Sequence, residues 1–338
     1  MNCRVCGFKT IKIYSTTKLP EYIWPTKKKI SYSRCNVYSC VNCFHLQLQN
    51  FSKKRILKFY EGNQFNKVTV SNNNKRLSLI TKKYGRNYFK NKSILDVGGG
   101  INPILKKKNV FLADIIVQKE KKHNFKNKFY EINIEKKKVN QKFDIIFLMH
   151  TLEHFKQPKK ALDNIISSLK DNGKLFLEIP NFNYFINRNT YYAIFHQHLS
   201  MFTMKHLTNF LSLSGLSVDK LFIKKEVIFC SVKKNKFNKK KLSFINNKKI
   251  IRIFSKNYIL MKKKILSHLI ENNFDIYGAG GSMALALASI GIGKKKIDKV
   301  FDNDSNKCGL YFPGTKVKIM KKKNTTQNNN IFSLSTYN

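Results

Sequence analysis

Apolar and polar positions divide the chain into regions of different texture. Residues 1–52 show little periodicity beyond a strand-like stretch over 34–38. From residue 53 to 84 the pattern is helical and polar, which predicts a helical connection over 53–88. Beyond it strands alternate with helices, the pattern of a parallel α/β sheet. Residues 93–97, 109–113, 129–132 and the very apolar 143–149 predict four strands. Residues 159–170 have helical spacing and stop at Asp171-Asn172-Gly173. Residues 174–179 predict a fifth strand, ended by Pro180. These elements define a domain over 89–235. A Lys/Asn-rich stretch, 233–249, reads as a linker or a solvated helix, and 250–272 as an amphipathic helix. A second, smaller α/β unit falls within 236–338: strand 274–277, a turn through Gly278-Ala279-Gly280-Gly281, helix 282–290 and strand 299–302. Residues 321–330 are low in complexity, and 331–334 predict a last strand.

Charge changes this picture less than its size suggests. The 338 residues hold 65 Lys+Arg against 19 Asp+Glu, a net charge of +46. However, 58 of those cations are Lys, only 7 are Arg, and 38 Asn accompany them in every segment, the mark of a coding sequence rich in A and T. A dedicated nucleic-acid surface would use Arg for bidentate contacts to phosphate and guanine, so no specific nucleic-acid partner is expected. The remaining field favours anionic ligands, phosphorylated substrates among them. A 42% hydrophobic content with 27 Phe and 15 Tyr excludes disorder, and the length suits two or three domains. No apolar run reaches the ~18 residues that span a bilayer. Cys3 and Cys6 stand where a signal peptide would carry its apolar core, so a cytoplasmic, reducing location is expected, with cysteines as thiols or metal ligands.

Four of the seven cysteines form two C-x2-C turns, Cys3/Cys6 and Cys40/Cys43, with 33 residues between them. Each turn can bring two thiolates to one tetrahedral metal, and two turns complete a four-cysteine structural zinc site. Cys35 is a competing ligand. Farther on, the first strand of the α/β region ends in Asp96-Val97-Gly98-Gly99-Gly100, and a second acid, Asp114, follows Asp96 by 18 residues at the end of the next strand. Glycines there let the backbone turn sharply beneath a nucleoside cofactor, and the second acid takes its ribose hydroxyls. The third glycine of a pyrophosphate-binding turn is absent, since Pro103 follows Gly100. The pattern thus favours S-adenosylmethionine (SAM) over NAD, with Asn133 at the adenine amine.

The run Ile94-Leu95-Asp96-Val97-Gly98-Gly99-Gly100, then Asp114, then Phe143-Asp144-Ile145-Ile146 leading to Leu152-Glu153-His154, resembles class I SAM-dependent methyltransferases. The wider layout resembles the zinc-containing C-methyltransferases of nucleotide-linked keto-deoxysugars. Cys40-Val41-Asn42-Cys43-Phe44-His45 is similar to their second zinc knuckle. Tyr277-Gly278-Ala279-Gly280-Gly281 and Val300-Phe301-Asp302-Asn303-Asp304 are similar to signatures of their C-terminal region, as is the stretch ending in Pro313-Gly314. That region usually runs on beyond the Pro-Gly signature, so a shortened version is expected here. The resemblance implies an α/β fold with a Rossmann-like SAM-methyltransferase domain, an N-terminal zinc-binding subdomain and a smaller C-terminal Rossmann-like region.

It also implies a catalytic loop. Phe195-His196-Gln197-His198 occupies the place of the family's Tyr-His-Glu-His, which makes His198 the base that removes a proton next to the sugar ketone, with His196 and Gln197 beside it. Such chemistry needs a base titrating near neutrality, because deprotonation must create the carbon nucleophile that attacks the methyl group. Phe195 and Gln197 depart from the pattern, removing a hydroxyl that could stabilise the enolate and a carboxylate that could orient the histidine. The family's tyrosine-rich segment is poorly matched around residues 59–63. O-methylation of a glycan or small metabolite, and a SAM-fold scaffold without catalysis, are the alternatives these departures leave open. His150 and Glu153 are expected to cover the cofactor; with His154 they could instead bind a metal. Residues 106–108 and 136–138, all Lys, read as solvated surface. The protein is expected to work as a monomer or homodimer.

Overall fold

The computed structural model describes residues 1–27, 30–52, 55, 67–100, 103–105, 109–115, 129–187, 193–235, 259–260, 262–263, 266–267, 273–291, 296–321 and 331–333. The expected helix over 250–272 falls largely outside the described residues, and the tyrosine-poor stretch 59–63, the lysines at 106–108 and the tail 322–330 fall wholly outside them.

The apolar runs of the middle region become a seven-stranded sheet. Its strands are β4 (Ile94–Val97), β5 (Val110–Asp114), β6 (Phe129–Glu131), β7 (Phe143–Met149), β8 (Leu169–Pro180), β10 (Leu216–Lys224) and β11 (Val227–Lys234). They lie in the order β10-β11-β8-β7-β4-β5-β6. All neighbours run parallel except β11, which is antiparallel to both β8 and β10. Alternate residues of β7 feed opposite faces, which is why the strand is apolar from Ile145 to Met149. Ile146 and Leu148 pack with Leu162 and Ile165 of helix α2 (Pro158–Ser167) and with Leu207 and Phe210 of α4 (Met204–Leu213). Ile145 and Phe147 pack on the other face with Ile80 of α1 (Lys67–Tyr84), Phe176 and Phe229. The order reverses between β4 and β7. In such sheets ligands bind at the carboxyl ends of the strands flanking that reversal.

A second, antiparallel sheet holds β1 (Thr10–Pro20), β2 (Tyr32–Cys40), β3 (Leu46–Leu48) and β9 (Ser200–Met201). Its fourth strand comes from the middle of the chain: Leu46 pairs with Met201 and Gln47 with Ser200. Leu46, Leu48 and Val37 share a core with Phe182 and Ile186 of α3 (Phe182–Asn187) and with Ile194, Leu199 and Met201, so the residues before β9 are packed against the N-terminal sheet. A third sheet, all parallel, has the order β14-β13-β12-β15, from β12 (Phe274–Tyr277), β13 (Ile297–Phe301), β14 (Ile319–Met320) and β15 (Ile331–Ser333). Helix α5 (Gly281–Ile290) covers it. Contact with the N-terminal sheet is direct, because Thr17 Oγ1 donates to the carbonyl of Ala288 at 3.1 Å.

Several elements differ from the sequence expectation. Helix α2 ends at Ser167, and β8 begins at Leu169, ahead of Asp171-Asn172-Gly173. The turn residues form a bulge inside the strand, since Phe143 pairs with Leu169 but Ile145 with Lys174. The hairpin β10–β11 and strand β1 have no counterpart in the sequence reading. They are rich in Lys and Thr, and their alternation is blurred by bulges in the pairing.

Candidate active site and metal centre

The two cysteine turns meet. Cys3 Sγ lies 3.6 Å from Cys43 Sγ, and Cys6 Sγ lies 3.4 Å from Cys40 Sγ and 3.3 Å from Cys43 Sγ. All four sulfurs fall within 4.8 Å of one another. Tetrahedral zinc with ~2.3 Å Zn–S bonds sets sulfurs about 3.8 Å apart, so the spacing fits such an ion. Cys35 is not in this group. It is buried in the sheet core with Val37 and Leu46, and burial pushes its thiol up, which removes it as a competing ligand.

At the switch point, β4 runs into the glycine turn. Gly98 N–H donates to the Ala113 carbonyl at 2.9 Å, and Gly100 N–H reaches Asp114 Oδ2 at 3.2 Å, so the second acid closes over the turn from the adjacent strand. Gly98 sits at φ +76°, and a Cβ there would lie 2.5 Å from the Thr151 side chain at the end of β7. Asp96 is buried beneath the loop, where its Oδ2 accepts the Ile104 N–H at 2.8 Å and its carboxyl group lies against Gly99. Burial raises Asp96 to about 6, although that hydrogen bond works the other way. Asn133 Oδ1 accepts the Glu135 N–H in a tight turn after β6. Gly98→Ala therefore meets both a left-handed backbone and a filled space. SAM affinity measured by calorimetry is expected to fall by at least tenfold, and unchanged binding would mean that the turn lies elsewhere than under the cofactor.

Beyond β7 the chain makes a left-handed step at His150, φ 47°, into a 3-10 turn, Leu152–His154. His150 Nε2 lies 2.9 Å from Glu178 Oε1 of β8, and its Nδ1 lies 3.3 Å from Glu153 Oε1. Glu178 in turn takes Nε and Nη2 of Arg76 on α1, at 3.1 and 2.5 Å. Burial opposes both charges, but hydrogen bonds to Glu153 and Glu178 raise His150 to about 9. Those from His150 and Arg76 hold Glu178 at about 2.

The histidine loop is split. His198 comes to Glu153 and His154, with side-chain ligand atoms of all three within 4.8 Å. His154 Nδ1 donates to the Gln197 carbonyl at 2.7 Å, and the Phe195 ring lies 4.1 Å from the His198 ring between centroids. His196 points the other way, to Ser33 Oγ of β2 at 2.8 Å. The structure thus joins His198 to the turn after β7 and commits His196 to the N-terminal sheet. Burial, then the neighbouring His154, lowers His198 to about 3, and burial lowers His196 to about 4.

Sequence reasoning missed Arg4, Arg76 and Glu178. Arg4 Nη1 donates to the carbonyls of Leu48, at 2.9 Å, and Leu199, at 2.7 Å, tying the first cysteine turn to the histidine loop. A usable signal existed. Among 58 lysines the 7 arginines are scarce, and an Arg kept in such a chain marks a site that needs the planar fork.

Residues 70–221 match the family model described as a methyltransferase domain, and residues 235–334 match the model described as a C-methyltransferase C-terminal domain. The chain carries a SAM-dependent methyltransferase domain of the class I fold. No curated protein matches this methyltransferase. Among solved structures, it is similar to an S-adenosylmethionine-dependent methyltransferase from Clostridium acetobutylicum, at 13% identity and TM-score 0.40, covering 54% of this chain and 98% of that one. The plantazolicin methyltransferase BpumL in complex with SAH gives 15% identity and TM-score 0.41, over 54% and 90%. The 1,6-didemethyltoxoflavin-N1-methyltransferase of Burkholderia thailandensis gives 11% and 0.39, over 58% and 97%. Among the described residues, no helix of the methyltransferase is long and apolar enough to cross a membrane.

Proposed function

We propose that the enzyme transfers a methyl group to carbon in a nucleotide-linked keto-deoxysugar or a related glycan precursor, in the cytoplasm. His198 acts as general base, and zinc in the cysteine site serves as a structural ion. The observation that carries this reading is the meeting of His198 with Glu153 and His154 just past the end of β7. Thr151 there touches the glycine turn. The C-methyltransferase C-terminal domain match supports carbon as the acceptor.

Bound SAM supplies an electrophilic methyl group on sulfonium. Gly98 to Gly100 form the floor of its site and Asp114 faces the ribose, with Asn133 near the base and His150 at the β7 end. His198, kept neutral by burial, removes the proton next to the substrate ketone. The enolate so formed is the nucleophile. Oxygen methylation is the second reading, favoured by Phe195, which brings no hydroxyl to an enolate oxygen.

Solvent deuterium should wash into the carbon beside the carbonyl of a nucleotide ketosugar, and His198→Ala should slow this by about 10²–10⁴-fold, the range of general-base catalysis. Exchange that persists undiminished in that variant removes His198 from the role. Methyl transfer without any exchange in the unaltered enzyme favours oxygen.

A further inference from the structure

We propose that Glu153 is the carboxylate partner of His198: it stabilises the imidazolium that forms when His198 takes the substrate proton, supplying from the turn after β7 the charge that Gln197 does not bring. This rests on the reading of His198 as base.

Position comes first. Glu153 is 1% exposed, and its carboxylate shares a 4.8 Å cluster with His154 and His198. Its two oxygens differ. Oε1 faces His150 Nδ1, whereas Oε2 is buried and takes no hydrogen bond among the described residues. A buried carboxylate oxygen without a donor is costly, and a donor appears beside it when His198 becomes protonated. The remaining charged groups around the pair leave this task to Glu153. His154 holds Gln197 through Nδ1 and faces Glu153 with Nε2 at 3.8 Å. His150 is shared with Glu178, which is taken by Arg76.

The energetics require such a partner. Burial and His154 leave His198 neutral but push it below the near-neutral range that the sequence led one to expect of the base, so the cation it becomes needs a compensating charge. Glu153 is held ionised, because His154 and the hydrogen bond from His150 outweigh its burial. The step balances simply. The carbon's proton moves to His198 and the C–H electron pair enters the enolate. As the new C–C bond forms, the methyl–sulfur bond breaks with its pair left on sulfur. His198 then returns its proton to solvent, and Glu153 stays ionised throughout.

The test compares deuterium exchange in the full-length wild type, Glu153→Gln and Glu153→Asp from pH 6 to 9, with SAM affinity measured alongside. The wild-type rate is expected to be flat across this range. At saturating SAM, Glu153→Gln should exchange about 100-fold more slowly near pH 7. Its rate should rise with pH about tenfold per unit as hydroxide replaces the weakened base. Glu153→Asp should fall between the two. A drop of equal size at every pH would mark a structural role and overturn the proposal, as would unchanged exchange in Glu153→Gln. Stimulation of the wild type by added Mn2+ would also overturn it, because the three side chains would then be holding a cation. If the wild type binds SAM and shows no exchange, the reading of His198 fails and this proposal falls with it.

Discussion

Cys43→Ser is expected to expose residues 1–52 to limited proteolysis and to lower methyl transfer by at least 100-fold, while SAM still binds. The sheet β1-β2-β3 has a modest core of its own, and zinc coordination can contribute on the order of 10–16 kcal/mol of apparent folding free energy to such a region. The same sheet carries the histidine loop. Strand β9 follows His198 within two residues and pairs with β3. His206 of α4 donates its Nε2–H to the Cys43 carbonyl at 3.1 Å, Thr203 O–H fixing the tautomer through Nδ1. Arg4 ties the first knuckle to Leu199. If zinc fills the cysteine site, its loss should displace His198, whereas the glycine turn rests on β4 and β5 of a different sheet. Chelation of the unaltered protein should reproduce the effect, and zinc should reverse it. Full methyl transfer by a Cys43→Ser protein that resists protease would show that the site is dispensable.

Arg76→Met is the second large effect, expected to lower unfolding free energy by about 3–5 kcal/mol, the cost of leaving a buried charge without its partner. Arg76 is 8% and Glu178 4% exposed, so water cannot replace the lost guanidinium. The same network sets a pH window. Glu178 is depressed from 4.5 to about 2 in the folded protein. Its contribution, about 3 kcal/mol at 1.36 kcal/mol per unit, is complete above pH 4.5 and lost as pH falls towards 2. His150 is raised from 6.5 to about 9, so its contribution is present below pH 6.5 and lost as pH rises through 9. The two shifts describe one interaction from its two ends and do not add. Denaturant unfolding should show greatest stability between about pH 4.5 and 6.5 from this network, with the acid slope reduced in Arg76→Met. An unchanged unfolding midpoint in that variant would show that the pair is not holding α1 to the sheet.

Legibility from sequence followed the range of the interaction. Strands β7 and β12 match the residues expected for them, because each is apolar apart from one Asp near its start. The glycine turn and the cysteine pairs are equally local, since a few consecutive residues fix the backbone that the ligand requires. Bulges concealed β1 and the start of β8, where Asp171-Asn172-Gly173 reads as a stop to a helix but is absorbed into a strand. Arg76 and Glu178 are 102 positions apart, and nothing in the spacing of either announces the other.

The sequence by itself determined the α/β class, the two cysteine turns, the glycine turn with its following acid, and a histidine loop of unusual composition. Tertiary structure alone decided that β9 joins the cysteine-bearing sheet, that His196 turns to Ser33, and that His198 turns to Glu153. Side chains two residues apart in a loop can face opposite directions, and only the surfaces packed on each side settle which one meets the carboxylate.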